Sequence, residues 1–174
     1  MFKQVASFSL VVFALLASSS VAFAQGYQQQ PPSTISLTGP RLGMTVLDPG
    51  IREKLLERGA DVGPVISQFG WQHEKRFLST PGGFTGVTEF VALLGGIDQG
   101  TVLPSLNWLV GARTAKGVEF AAGPNFSAAG TAFVFAAGVT YQTGDLNIPI
   151  NIAIVPSKNG SRISMLVGFN GRKP

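Results

Sequence analysis

The chain has 174 residues, of which 13% are charged, and a formal net charge of +4. Its cationic residues are scattered and never form a run of three, which argues against a nucleic-acid-binding surface. It contains no cysteine, which excludes disulfides, thiolate chemistry and cysteine-ligated zinc.

Residues 1–24 have the layout of a secretory signal peptide: a basic start, an apolar core and small residues up to Ala24. The apolar core is shorter than the ~20 residues of a membrane-spanning helix, so we expect cleavage before Gln25. The remaining 150 residues suit a single domain. Residues 25–33, "QGYQQQPPS", are rich in Gln and Pro and predict a disordered leader.

From residue 34 onward, apolar and polar residues alternate with a period of two, in segments separated by Gly, Pro, Asn and Asp. This pattern predicts eight strands, at about 34–47, 64–78, 84–94, 102–113, 118–122, 131–141, 146–155 and 162–170. Short connections such as "TAKG" and "QTGD" indicate hairpin turns between neighbouring strands. The predicted fold class is all-β: an antiparallel up-and-down barrel of about eight strands over 34–170, followed by a tail at 171–174.

One short helix is predicted between the first two strands, at 49–58, "PGIREKLLER". Asp48 can cap it, Pro49 suits its first turn and Gly59 suits its exit. Its narrow apolar stripe consists of Ile51, Leu55 and Leu56. We expect the helix to lie on the strands or across a barrel mouth.

The segment 67–77, "SQFGWQHEKRF", shows how the two faces of the strands differ. One parity carries Phe69, Trp71, His73, Lys75 and Phe77, and the other carries Gln68, Gly70, Gln72, Glu74 and Arg76. A water-soluble barrel needs a charged outer surface, but only four charged residues after position 84 fall within predicted strands. The pattern therefore favours a barrel with its apolar face toward lipid.

An interior network of charges follows from that orientation. An Arg directed into lipid at mid-depth costs roughly 2–4 kcal/mol, so charged strand residues should point inward and pair there. A barrel of about eight strands has an interior just wide enough for its side chains. The predicted interior charge network consists of Glu74, Arg76, Glu89, Arg113, Glu119 and Arg162. On the outside, Tyr141 and Trp108 are candidate interfacial anchors.

In strand pattern and polar lining, residues 34–170 resemble small outer-membrane β-barrel proteins of double-membraned bacteria. "GPRLGMTVL" at 39–47, "SQFGWQHEKRF" and "PSLNWLVGARTAKGVEFAAGPN" at 104–125 are similar to stretches of exported bacterial proteins of undefined function. The resemblance implies about eight strands, both termini in the periplasm and the outer membrane as the location. It implies no specific activity.

The expected function is therefore a structural or surface-interaction role in the outer membrane, with the lipid bilayer as the partner. One alternative is a soluble periplasmic barrel or sandwich that binds an apolar ligand. Another is a barrel lipid hydrolase or acyltransferase using His73, with Ser67, Ser79 or Ser105 as nucleophile. No cofactor or metal is expected, because one His and scattered acids give no ligand cluster.

Overall fold

The computed structural model describes residues 37–171. The predicted signal peptide at 1–24, the leader at 25–33 and the tail beyond Gly171 lie outside the described residues. Within them, eight antiparallel strands close into a barrel, because the sixth strand pairs with the seventh and the eighth returns to the first. The predicted fold class is confirmed.

The strands follow one another around the barrel in chain order. They are β1 (Gly39–Leu47), β2 (Val65–Ser79), β3 (Thr85–Gly95), β4 (Leu103–Arg113), β5 (Val118–Ser127), β6 (Gly130–Thr143), β7 (Leu146–Ser157) and β8 (Gly160–Gly168), with a two-residue β9 (Asn170–Gly171) beside β7. Helix α1 (Pro49–Leu56) follows β1, and a 3-10 turn (Ile97–Gln99) follows β3.

The stagger of the strands can be read from their pairing. A path of paired residues that leaves Arg76 on β2 passes once around the barrel and returns to β2 at Ile66, ten residues away. The path runs through Val87, Gly111, Ala121, Ala136, Ala153, Ser164 and Thr45. A shear of ten over eight strands corresponds to a strand tilt of about 40°, given ordinary strand spacing and rise.

The barrel has two different ends. The terminal end holds the start of β1, the end of β8 and the connections 80–84, 114–117 and 144–145. The helix end holds the segment 48–64 and the connections 96–102, 128–129 and 158–159. The last two are tight turns, so the long connections at this end are 48–64 and 96–102.

Helix α1 differs in detail from its prediction. It ends at Leu56, and Asp48 makes no side-chain cap; its carboxylate instead accepts a hydrogen bond from the Ser161 amide at 2.6 Å. Ile51 and Leu55 are buried, whereas Leu56 is exposed. The buried side of the helix packs into an apolar cluster that closes the helix end. This cluster consists of Leu47, Ile51, Leu55, Val62, Ile66, Leu103 and Ala129.

Strand β5 is longer than predicted, since residues 123–127 continue it instead of forming a loop. The Gly123-Pro124 pair suggested a loop because proline has no N–H to donate. In the fold, this pair interrupts the ladder toward β4, while pairing with β6 continues through both residues. The strand therefore tolerates the proline because one of its two neighbours still holds it.

The two faces of the wall differ sharply in charge. Eight charged residues lie in the strands of the described part of the chain, and by the alternation of burial only Lys75 points outward. The outer face carries exposed apolar side chains all around the barrel. Examples are Leu42, Met44, Phe69, Trp71, Phe90, Trp108, Phe120, Phe133, Phe135, Ile152, Ile163 and Met165, each between 40% and 65% exposed.

Candidate functional site

A cluster of charged side chains fills the terminal half of the barrel interior. Its centre is Arg113 on β4, and its carboxylates are Glu74, Glu89 and Glu119 on three other strands. All four residues are at most 8% exposed. We call these four residues the charge cluster.

Arg113 holds the cluster together by using all three of its nitrogens. Its Nε donates to Glu119 at 2.7 Å, and Nη1 donates to Glu74 at 3.2 Å. Nη2 forms close ion pairs with both of these carboxylates and lies 3.8 Å from Glu89. The planar guanidinium therefore offers five N–H donors on three nitrogens to these carboxylates, whereas a lysine offers three donors on a single nitrogen.

The strand register explains why these residues meet. Glu74 lies directly opposite Glu89, and Arg113 lies directly opposite Glu119. Two carboxylates facing each other across a ladder repel, so Arg113 is needed between them. The long arginine side chain crosses the interior to reach Glu74, because β4 and β2 do not pair directly.

A second arginine, Arg41 on β1, extends the cluster. Its Nε donates to Gln72 at 2.9 Å, and Gln72 in turn donates to Glu89 at 2.5 Å. Its Nη2 donates to the Leu37 carbonyl at 2.5 Å, and its Nη1 donates to Asn170 at 3.2 Å. Arg41 is only 1% exposed and ties the chain before β1 to the barrel interior.

Gln72 lies on the parity of β2 that was predicted to face inward, whereas Arg41 was missing from the predicted interior charge network. The signal for Arg41 was its shared parity with Gly43 and Thr45, opposite the apolar Leu42 and Met44. This signal is weak because Arg41 is the only charged residue on β1, so the strand contains no second charge that would mark the inner face.

The other two predicted interior residues, Arg162 and Arg76, lie on β8 and β2. Arg162, toward the helix end, donates to Ser127 at 2.6 Å and to Asn125 at 2.7 Å. Arg76 is half-buried on the same side of β2 as Glu74, nearer the terminal end. Arg162 thus lies at a different level of the interior from the charge cluster, and its hydrogen bonds join β8 to β5.

The three carboxylates are closer together than the sequence indicated. Glu74, Glu89 and Glu119 offer oxygens within 4.8 Å of one another, so the acids that looked scattered in the sequence form a group in the fold. Such a group could hold a metal only by giving up its contacts with Arg113, whose guanidinium already binds Glu74 and Glu119. Chemically, the arrangement provides paired charges that fix strands to one another.

A small cavity separates the charge cluster from the apolar cluster at the helix end. Its volume is about 80 Å³, and Glu89, Arg41, Arg162 and Asn107 are among its lining residues. Since one water needs roughly 10–15 Å³ on this scale, the cavity has room for roughly five to eight waters. The interior is therefore largely filled by side chains.

The structure does not assemble the hypothetical catalytic group around His73. His73 is exposed on the outer face of β2, and Ser67 and Ser79 on that face are each six residues away, roughly 20 Å along the strand. Ser105 is buried on the inner side of β4, where its hydroxyl accepts a hydrogen bond from Asn125 at 2.9 Å. None of the three serines is placed to be activated by His73.

The chain matches no protein-family model, no curated protein and no solved structure. Among residues 37–171, no helix is both long enough and apolar enough to cross a bilayer.

Proposed function

We propose that this chain is an exported β-barrel of an outer membrane, with a structural or surface-interaction role. The observation that carries the proposal is the distribution of charge over the wall of the barrel. Of the eight charged residues in the described strands, seven point inward and Lys75 alone points outward. A barrel embedded in lipid needs an apolar outer face and can carry its charges on the inner face, whereas a barrel in water needs charged residues on its outer face.

The height of the apolar surface also supports the proposal. On β7 the outer-facing residues run from Leu146 through four isoleucines to Pro156, a span of ten residue steps. At a tilt of about 40° and a rise of ~3.3 Å per residue, these steps cover ~25 Å along the barrel axis. Barrels in membranes carry an apolar band of about this height.

The two ends of the barrel then have different roles. If residues 1–24 direct export, the terminal end faces the periplasm and the helix end faces the outside of the cell. The segment 48–64 is the longest connection of the described chain. It presents two exposed side chains, Leu56 at the end of α1 and Arg58 two residues beyond it. This segment is the surface that would meet external partners.

The described interior disfavours the soluble alternative with an apolar ligand. Such a barrel needs an apolar cavity large enough for its ligand, usually about 300–1,000 Å³. Here the cavity between the charge cluster and the helix end measures about 80 Å³, well below that range, so it has no room for such a ligand.

Fractionation of a double-membraned bacterium expressing the full chain tests the proposal. We expect the processed protein in the outer-membrane fraction, released only by detergent and migrating faster on a gel before boiling than after it. A soluble periplasmic protein expressed in the same cells serves as the control. Recovery of the processed chain in the soluble periplasmic fraction without detergent would sink the proposal.

A further inference from the structure

We propose that an outer groove around Lys75 and His73 is a binding site for one glycerophospholipid with an anionic headgroup. The inference rests on the proposed function, because it places the outer wall in a bilayer. The groove has a volume of about 560 Å³ and lies across β2, β3, β4 and β5. It is within the usual size range of small-molecule sites, roughly 300–1,000 Å³.

The residues of the groove are ordered along the barrel axis. Nearest the terminal end, Lys75 pairs with Thr88. The next row toward the helix end contains His73, Phe90 and Trp108, which are paired across three strands.

The last row, Leu106 with Phe126, contains only apolar side chains. A cationic and hydroxyl-bearing end thus passes into an aromatic middle and an apolar far end. A phospholipid has the same order, from its phosphate to its acyl chains.

Trp108 forms a fixed wall of the groove. Its indole Nε1 donates a hydrogen bond to the Thr88 hydroxyl at 3.0 Å, and that hydroxyl donates to the Leu109 carbonyl at 3.3 Å. The indole is 58% exposed, so its outer surface is free to contact an acyl chain. This hydrogen bond keeps the ring in place without any bound lipid.

Charge complementarity decides the kind of headgroup. Every ion pair within 4 Å among residues 37–171 involves Arg113, so Lys75 pairs with no carboxylate of the described chain. Lys75 lies four residues before the end of β2 at Ser79, roughly 10 Å along the axis, from where its ammonium can extend to the headgroup level. A lipid phosphate supplies the missing negative charge, and the His73 imidazole offers a further hydrogen-bonding group.

The test uses quenching of tryptophan fluorescence by brominated lipids. The chain has two tryptophans, so Trp71→Phe leaves Trp108 as the reporter inside the groove. This variant, with the rest of the full chain intact, is folded into vesicles of phosphatidylcholine containing increasing fractions of brominated phosphatidylglycerol or brominated phosphatidylcholine. Lys75→Gln with His73→Gln removes the proposed headgroup contacts, and Lys116→Gln removes a lysine from an exposed turn at the same end.

We expect the groove to prefer phosphatidylglycerol to phosphatidylcholine about fivefold, as measured by quenching of Trp108. This is the preference that one lysine near an anionic lipid provides. The double variant should lose this preference, and Lys116→Gln should keep it. Equal quenching by both lipids in the Trp71→Phe protein would overturn the lipid site while leaving the membrane barrel intact. Absence of quenching by either lipid would instead show that the outer wall does not meet lipid, and the proposed function would fail with it.

Discussion

At the scale of single residues, Arg113 is the side chain on which the interior depends most. It contacts carboxylates from β2, β3 and β5 and is itself 3% exposed. Removal of one partner from a buried group of charges leaves the others without compensation, and this costs more than the intact group contributes. The contacts of Arg113 therefore favour the arrangement in which β2, β3, β4 and β5 are neighbours in the wall.

Arg113→Leu should lower the free energy of unfolding by about 3–5 kcal/mol, because three buried glutamates lose their shared partner. Urea unfolding in detergent micelles, followed by the difference in gel mobility with and without boiling, measures this change. Lys116→Leu, in an exposed turn three residues away, is the matched control. A loss below about 0.5 kcal/mol, the usual range for surface substitutions, would contradict the interior role of Arg113.

Glu89→Gln should be much milder than Arg113→Leu. Glu89 is the carboxylate farthest from Arg113, and a glutamine at this position could still accept the hydrogen bond from Gln72. The substitution also removes one of three crowded negative charges. An unfolding measurement in the same detergent that showed an equally large loss for both variants would argue against this division of roles.

At Gly70 the addition of one carbon atom would strain the packing of β2 on β3. A Cβ built there would lie 1.9 Å from the Ala92 carbonyl oxygen and 2.8 Å from the Leu93 Cα, so the backbone of β3 would have to move. Gly70→Ala should therefore destabilise the barrel by about 1–3 kcal/mol, as expected for overpacking. Gly82→Ala, where no atom lies within 4 Å, is the control in the same unfolding experiment. Equal stability of the two variants would contradict this close approach of β2 and β3.

At the scale of elements, side chains of the 3-10 turn hold the helix end together. Asp98 accepts hydrogen bonds from the Ser67 hydroxyl at 2.5 Å and from the Ser67 amide at 3.3 Å. Gln99 donates to the Val65 carbonyl and accepts from the Gly63 amide, both at 2.7 Å. The turn is thus joined both to β2 and to the segment that carries α1.

The Asp98 contact gives this joint a defined pH dependence. The hydrogen bond from the Ser67 hydroxyl, followed by that from Gln99, lowers the pKa of Asp98. A lowered pKa means that the contact contributes fully above the ordinary Asp pKa of about 3.9 and is lost as the pH falls through the lowered value. We expect the Ser67 amide resonance to titrate with a midpoint below about 3.9, and Asp98→Asn to abolish this titration. A midpoint at or above the ordinary value would contradict the prediction.

At the scale of the whole molecule, the apolar outer wall separates a membrane barrel from a soluble one. Ile152 lies on the outer face of β7 and is 56% exposed, so the two possibilities predict opposite results for Ile152→Arg. In lipid, an outward arginine near mid-depth costs about 2–4 kcal/mol. In water, the same exposed position would tolerate the change within about 0.5 kcal/mol.

We expect Ile152→Arg to reduce the fraction of chain that folds into lipid vesicles, measured by gel mobility without boiling. Asn159→Arg, in an exposed turn at the helix end, adds the same charge outside the apolar band and should fold like the parent. Equal folding yields for the two variants would count against a membrane-embedded wall.

Much of the fold could be predicted because the period-two pattern is local. Each strand from β2 to β8 carries its own alternation, so the number of strands followed from short windows of sequence. The position of helix α1 also followed from a short window, through its end signals and its apolar stripe. The prediction failed where a local signal was ambiguous. Gly123-Pro124 reads as a loop in isolation, and only pairing with β6 keeps it in β5.

The candidate site was less predictable because its contacts join distant residues. Parity assigned Glu74, Glu89, Arg113 and Glu119 to the inner face, but parity does not say which of them touch. The separation of Arg162 from the charge cluster depends on its level along the barrel axis. That level depends on the shear, which no single strand contains.

Local alternation was thus enough to predict about eight strands with apolar and charged side chains on opposite faces, because both properties repeat every two residues. The closed fold adds what no short window of sequence contains: a stagger of ten residues around the barrel, the position of Arg113 among three glutamates, and the link from Arg41 to them through Gln72. Pairing of β2, β3 and β4 aligns Lys75, His73 and Trp108 along one outer groove. Pairing between strands sets these neighbours, and such pairing is a property of the closed sheet rather than of any one segment.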